Sequence, residues 1–188
     1  VDGLKQRFMD ISQPDADGVY RNGAAKRKAR TDLAMDCLKQ LWQEACQTVS
    51  FDVPQSGIGL GAVGSLARGQ VGPSSDLDLV VIYEPHALTD RQLNELVNKL
   101  WYPIWDSGLD LDQSVRTRAQ CEAVTDHDLP AAMGWLDVVP IAGDCKPQDE
   151  TLDVEWVNPN SEILDTFINQ MSNGYGTIVR QAIAWAGR

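Results

Sequence analysis

Residues 64–83 read GSLARGQVGPSSDLDLVVIY, and this stretch decides both the predicted fold and the predicted site. Its first half is rich in Gly and Pro and predicts a tight loop, whereas the apolar run 77–83 predicts a buried strand. Because successive side chains of a strand alternate between its two faces, Asp76 and Asp78 project together, away from Leu77. The stretch therefore predicts a loop and a strand that carry two neighbouring carboxylates.

Two carboxylates this close resist joint ionisation unless a cation lies near them. Mg²⁺ is suited to such a place, since it prefers a few carboxylate oxygens together with the phosphate oxygens of a substrate. In the loop, Gly64 lets backbone N–H groups approach a phosphate, the Ser65 hydroxyl can donate a hydrogen bond, and Arg68 adds a positive charge. The residues thus predict a nucleotide-binding loop beside a magnesium site. The alternative is a pair of solvated carboxylates at the mouth of a strand.

A third carboxylate is expected from a neighbouring strand, 109–116, in which apolar and polar residues alternate. Its polar face carries Asp110 and Asp112; Asp112 is our first choice and Asp110 the alternative. Three carboxylates could hold two Mg²⁺ ions about 4 Å apart, which polarise an α-phosphate and steady a pyrophosphate leaving group. We therefore predict that Asp76, Asp78 and Asp112 are metal ligands and catalytic residues.

The rest of the chain alternates between helical and strand patterns, which indicates an α/β or α+β domain with a mixed β-sheet flanked by helices. Helices are predicted over 25–49, from the capping box Thr89-x-x-Gln92 to Gly108, over 128–136 and over 160–188, and further strands over 58–63 and 138–141. The first turns of the long helix carry the basic residues Lys26, Arg27, Lys28 and Arg30. They form either a solvated helix face or a contact with an anionic ligand.

The chain has 188 residues, enough for one ordinary core, and its 16 Lys and Arg against 27 Asp and Glu give a net charge of -11. This acidic balance disfavours a nucleic-acid partner. No apolar run approaches the ~20 residues that span a bilayer, so no membrane partner is expected. Four scattered cysteines are predicted to be reduced thiols, as in a cytoplasmic protein. We predict a lead-in loop over 1–24, the catalytic domain over 25–145 and a helical extension over 146–188.

At its centre the sequence resembles the nucleotidyltransferase superfamily, whose hallmark is Gly-Ser, a gap and then Asp-x-Asp. Residues 105–117 (WDSGLDLDQSVRT) and 128–144 (DLPAAMGWLDVVPIAGD) are further similar to the N-terminal transferase domain of bacterial PII uridylyltransferases. The resemblance covers roughly residues 20–145. It implies a polymerase-β-like palm fold and transfer of NMP, most often UMP from UTP, to a tyrosine of the trimeric signalling protein PII, with release of pyrophosphate.

Carried over to this sequence, the resemblance implies that Gly64 and Ser65 bind phosphate and that Asp76 and Asp78 bind metal. Asp112 takes the place of the third acid by its offset from the Ser-Val-Arg-Thr segment that follows it. Adenylylation of PII from ATP and nucleotidyl transfer to a small molecule, such as an aminoglycoside, remain open as alternatives. Full-length members of the family also carry hydrolase and glutamine-sensing domains, toward which the predicted helical extension would lead.

Overall fold

The computed structural model describes residues 3–19, 22–124 and 138–145, with backbone alone for 122–124. The described helices are α1 (Leu4–Ile11), α2 (Gly23–Thr48), α3 (Gly64–Ala67), α4 (Asp90–Asp106) and α5 (Arg118–Val124). The described strands are β1 (Ile58–Ala62), β2 (Leu77–Tyr83), β3 (Leu111–Thr117) and β4 (Val139–Gly143). They form one sheet in the order β3-β2-β1-β4, in which β2 and β3 are parallel and β1 is antiparallel to both of its neighbours. The predicted fold class, a mixed sheet flanked by helices, is confirmed.

One face of the sheet packs against α2 and α4 and forms the main core. From β2, this face presents Leu77, Leu79 and Val81, each at most 1% exposed. The helices contribute buried residues at helical spacing: Ala34, Leu38, Leu41 and Ala45 from α2, and Leu93, Leu96, Leu100 and Ile104 from α4. The alternation predicted for β2 is therefore what attaches the sheet to its helices.

The opposite face of the sheet is covered by a smaller apolar cluster. Val80 and Ile82 of β2 pack there with Cys121 of α5 and with Cys145, which follows β4. All four cysteines of the chain are free thiols, as predicted. Because Asp78 shares its face with Val80 and Ile82, β2 carries the carboxylate at one end of this face and apolar cover at the other.

The first helix departs from the predicted lead-in loop over residues 1–24. Leu4 and Phe8, four residues apart, are fully buried on one side of α1, against α2. Two apolar anchors in a single short helix make a weak periodic signal, and the polar, Gly- and Asp-rich residues that follow conceal it. The predicted loop also extends too far, because α2 already begins at Gly23.

The helix α4 begins after Thr89 and ends before Gly108, as the sequence predicted. The Thr89 hydroxyl accepts a hydrogen bond from the Gln92 N–H, and the Gln92 side chain accepts one from the Thr89 N–H, so the capping box is present. Gly108, just past the helix end, has φ +75, which a residue without a side chain adopts at little cost. The helices predicted over 128–136 and 160–188 lie outside the described residues. Within the described ranges, no helix is both long and apolar enough to cross a membrane.

Candidate active site

The parallel pairing of β2 and β3 brings two of the predicted acids side by side. Asp78 is the register partner of Asp112, and partners in adjacent parallel strands present their side chains on the same face, about 4.8 Å apart. Asp110 precedes β3 and enters the sheet through its backbone, because its carbonyl accepts the Leu77 N–H at 2.9 Å. The register therefore sets Asp112, rather than Asp110, beside Asp78.

The segment after β1 enters the short helix α3 where the sequence predicted a loop, and it folds back onto the carboxylate of Asp78. The N–H of Val63 donates to the Asp78 carbonyl at 3.0 Å, which fixes the start of the loop against β2. Gly64 follows with φ +60, and a Cβ at this position would collide with Oδ2 of Asp78. The backbone N–H of Ser65 then donates a hydrogen bond to the Asp78 carboxyl group. Gly64 is thus required both by its backbone conformation and by the closeness of the carboxylate.

The side chain of Ser65 is poised differently from its backbone. Its hydroxyl oxygen is buried and has no hydrogen-bond partner among the described residues. A buried polar atom without a partner costs about 1–3 kcal/mol, so such atoms are uncommon in folded proteins and call for an explanation. A ligand oxygen that binds in this loop would supply the partner that the protein does not.

Electrostatic interactions bring the remaining predicted residues to Asp78. Burial raises the pKa of the Asp78 carboxyl group, and the neighbouring carboxylates of Asp76 and Asp112 raise it further. The Ser65 N–H and the positive charge of Arg68 act in the opposite direction on the same pKa. Two further acids, one positively charged side chain and one backbone donor therefore act on the Asp78 carboxyl group near the start of β2.

The chemistry of this donor set fits a hard divalent cation, although the acids are not drawn together around a common point. Within the part of the chain that the structure describes, no three His, Cys, Asp or Glu side chains are close enough to hold a metal ion together. Burial is the main cause of the raised pKa of Asp78, and the repulsion between carboxylates that adds to it is what a bound cation would relieve. Carboxylate oxygens beside an unpartnered hydroxyl and a glycine-lined loop are suited to Mg²⁺ with a phosphate ligand.

The basic start of α2 contains exposed residues, the half-buried Lys26 and one buried residue. Lys28 forms an ion pair with Asp32 at 2.7 Å on the exposed face, and Lys26 donates to the Gln13 carbonyl at 2.6 Å. Arg30, by contrast, is only 4% exposed. The sequence did contain a signal for it, because Arg30 precedes the buried Ala34 by four residues and so continues the apolar stripe of the helix.

Comparison with known proteins indicates the class of protein to which this site belongs. Residues 38–130 match a family model described as a nucleotidyltransferase domain, and residues 121–188 match one described as a domain of unknown function (DUF4916). A bifunctional uridylyltransferase/uridylyl-removing enzyme of Corynebacterium glutamicum is 41% identical over 129 residues, 69% of this chain and 17% of that protein. An enzyme of the same description from Streptomyces coelicolor is 38% identical over 124 residues, 66% of this chain and 14% of that protein.

The fold and the matched residues together define a transferase of the nucleotidyltransferase class. Residues 38–130 belong to the nucleotidyltransferase domain family, and within it the chain is similar to the bifunctional uridylyltransferases. The chain spans less than a fifth of the length of these curated relatives. A crystal structure from Sulfolobus solfataricus, provisionally described as a nucleotidyltransferase, covers 64% of this chain and 86% of its own, with TM-score 0.37 and 14% identity. A likeness at that level carries no weight for function.

Proposed function

We propose that this chain transfers UMP from UTP to a tyrosine of the signalling protein PII in the cytoplasm, with Mg²⁺, and releases pyrophosphate. The observation that carries the proposal is the buried, unpartnered Ser65 hydroxyl, in a loop whose neighbouring residue Gly64 leaves room for the Asp78 carboxylate. The similarity to uridylyltransferases favours UTP as the donor. Nothing in the described residues distinguishes uracil from adenine, so ATP remains the alternative donor.

In this proposal, Ser65 donates its hydroxyl hydrogen to a triphosphate oxygen, and Gly64 lets the loop approach the phosphates closely. Arg68, which is exposed at the end of α3, adds a positive charge against the same anion. Binding energy of this kind serves to place the α-phosphate in line with the incoming hydroxyl, which is a large part of catalysis in phosphoryl transfer.

The carboxylates of Asp76, Asp78 and Asp112 would hold Mg²⁺. When bound, this cation polarises the α-phosphate and neutralises charge on the pyrophosphate. Asp112, which is exposed on β3, would accept the proton of the tyrosine hydroxyl as its oxygen bonds to the α-phosphorus and the bond to the pyrophosphate oxygen breaks. The Ser65 N–H would hold the Asp78 carboxylate in place for binding Mg²⁺.

The test incubates the chain with MgCl₂, PII from the same source and either UTP or ATP, and measures the intact mass of PII. We expect a UMP adduct that Asp78→Asn abolishes and that Lys28→Gln retains, since Lys28 lies in an exposed ion pair on α2. An adduct formed only from ATP would replace UMP by AMP in the proposal. If neither nucleotide modifies PII although the chain modifies another acceptor, the assignment of PII is wrong.

A further inference from the structure

The two halves of the candidate site are joined by residues 69–75. Ser65 lies just before this segment and Asp76 directly after it, so the segment sets the distance between the predicted phosphate-binding hydroxyl and the first carboxylate. It contains two glycines and belongs to no helix or strand. Fixing one such residue in a single backbone conformation costs about 1–2 kcal/mol of free energy in lost conformational entropy. Hydrogen bonds between Gly72 and Ser75 order part of the segment, and contacts from elsewhere in the fold add to them.

Val71 is the point at which the rest of the fold holds this segment. Its side chain is fully buried in the main core. Its carbonyl accepts a hydrogen bond from Nε of Arg30 at 2.8 Å, and its N–H donates to Oγ1 of Thr31 at 3.4 Å. Two consecutive residues of α2 thus satisfy both backbone polar groups of a single loop residue.

Arg30 connects this anchor to a second element. Its Nη1 donates to Oγ of Ser12 at 2.8 Å, directly after α1, and Ser12 in turn donates to the Phe8 carbonyl at 2.7 Å. The hydrogen bonds that the structure gives the guanidinium group end on neutral oxygens. Burying an arginine whose hydrogen bonds within the described part of the chain end on neutral oxygens is costly, so a role beyond filling space is expected at this position.

We propose that Arg30 is a positioning residue, which through the Val71 carbonyl holds residues 69–75 in the shape that nucleotide binding requires. This inference rests on the proposed function, because it assumes that α3, which carries Ser65, and β2, which carries Asp78, bind one nucleotide. Arg30 itself contacts no predicted nucleotide-binding atom. Its effect on the reaction passes through the loop, and so it acts on nucleotide affinity more than on the chemical step.

The experiment compares Arg30→Gln with Lys28→Gln, which removes the same charge from the exposed face of the same helix. Amide hydrogen exchange without nucleotide is read at Gly69, Gln70 and Ser75, whose N–H groups donate hydrogen bonds within the loop region. Calorimetry with Mg-UTP gives the affinity. Thr31→Val, which removes the acceptor of the Val71 N–H together with a hydrogen bond within α2 to the Arg27 carbonyl, is a second variant in case Arg30→Gln fails to fold.

We expect faster exchange in the loop and about tenfold weaker Mg-UTP binding in Arg30→Gln, the factor that corresponds to ordering one further residue upon binding. The transfer rate at saturating UTP should change less than the KM for UTP. Arg30→Lys should recover little of the lost Mg-UTP affinity, because an ammonium group lacks the planar fork that reaches two acceptors. Thr31→Val should change exchange and affinity in the same direction. Lys28→Gln should match the wild type.

Two failures are distinguishable. If the wild type binds Mg-UTP and Arg30→Gln, or Thr31→Val where the former does not fold, binds it equally well with unchanged loop exchange, the positioning role is wrong while the proposed function stands. If the wild type itself does not bind Mg-UTP, the proposed function fails, and the positioning role fails with it.

Discussion

The two faces of β2 differ in burial, although their residues alternate along the same seven positions. Leu77, Leu79 and Val81 enter the main core between the sheet and two helices. Asp78, on the other face, remains half-buried beside Asp112, with apolar cover further along the strand. One face is buried because helices α2 and α4 present apolar stripes to it, whereas the other is left open at its acidic end.

This contrast separates what holds the fold together from what the fold presents. On the core face, replacing an apolar side chain removes buried contacts and lowers stability. On the acidic face, burial and then repulsion from the neighbouring carboxylates raise the pKa of Asp78, so holding this group in its charged form costs stability. A group that opposes stability and yet is built into a defined geometry is a candidate for function.

The largest expected effects come from separate substitutions of two neighbouring residues, one on each face of β2. Asp78→Asn should lower transfer at least ~100-fold while the chain stays folded. Loss of a residue that only supports a metal ligand lowers activity by at most about 100-fold, and Asp78 is proposed to bind the metal itself. Leu79→Ala should do the reverse, costing about 2–5 kcal/mol of unfolding free energy while the folded fraction remains active. Urea unfolding and PII modification, measured on both variants, check the pair. Loss of cooperative unfolding in Asp78→Asn would contradict the contrast.

Two glycines of the same loop sharpen the contrast further. Gly64 and Gly69 both have positive φ, at +60 and +70, but a Cβ at Gly69 would meet nothing within 4 Å, whereas one at Gly64 would strike Asp78. Both alanine variants should therefore lose roughly 1–2 kcal/mol of stability from the left-handed backbone. Gly64→Ala alone should also displace the carboxylate and abolish transfer. Equal transfer by the two variants would refute the close approach of the loop to Asp78.

A smaller effect is expected at the unpartnered hydroxyl. Ser65→Ala should weaken Mg-UTP binding by about 1–2 kcal/mol, the value of one hydrogen bond to a charged group. Because the Ser65 hydroxyl has no partner in the described protein, the same change should leave the unfolding free energy equal or higher. Calorimetry and urea unfolding measure the two quantities independently. A fall in stability with unchanged affinity would show that the hydroxyl serves the fold and not a ligand.

The smallest effect is a pH dependence of stability without Mg²⁺. The pKa of Asp78 is higher in the folded than in the unfolded chain, so its proton is bound more tightly when the chain is folded. Its contribution to stability is therefore fully present below its unfolded pKa of about 3.9 and is lost as the pH rises through the raised folded pKa. Relative to Asp78→Asn, the wild type should lose unfolding free energy over this interval. A difference that stays constant from about pH 4 to about pH 8 would contradict it.

Much of the fold could be predicted from local patterns in the sequence. The apolar run of β2 and the Thr89 capping box each fall where predicted, because each depends on residues close in sequence. α5 was missed even though Thr117 and Gln120 exchange the same reciprocal hydrogen bonds, since only a short helix follows them. Short helices with few apolar residues depend on tertiary contacts, which a periodic pattern does not contain.

The candidate site could be predicted in its members but not in its arrangement. The spacing of Asp76 and Asp78 predicts a shared face, yet only the parallel register of β2 with β3 sets Asp112 beside Asp78. The contact of Arg30 with Val71 joins residues 41 positions apart, and no local pattern encodes it. The sequence predicted the basic segment to be either a solvated helix face or a contact with an anionic ligand, and did not predict that Arg30 is buried against the Val71 carbonyl.

The most direct test of the central claim is equilibrium binding of UTP to the wild type and to Asp78→Asn, each with MgCl₂ and with EDTA. If the acidic face of β2 holds a metal-bound nucleotide, the wild type should bind UTP more tightly with Mg²⁺ than with EDTA, and Asp78→Asn should lose that difference. An affinity that is the same with and without Mg²⁺, or a Mg²⁺-dependent affinity that Asp78→Asn leaves intact, would contradict the account.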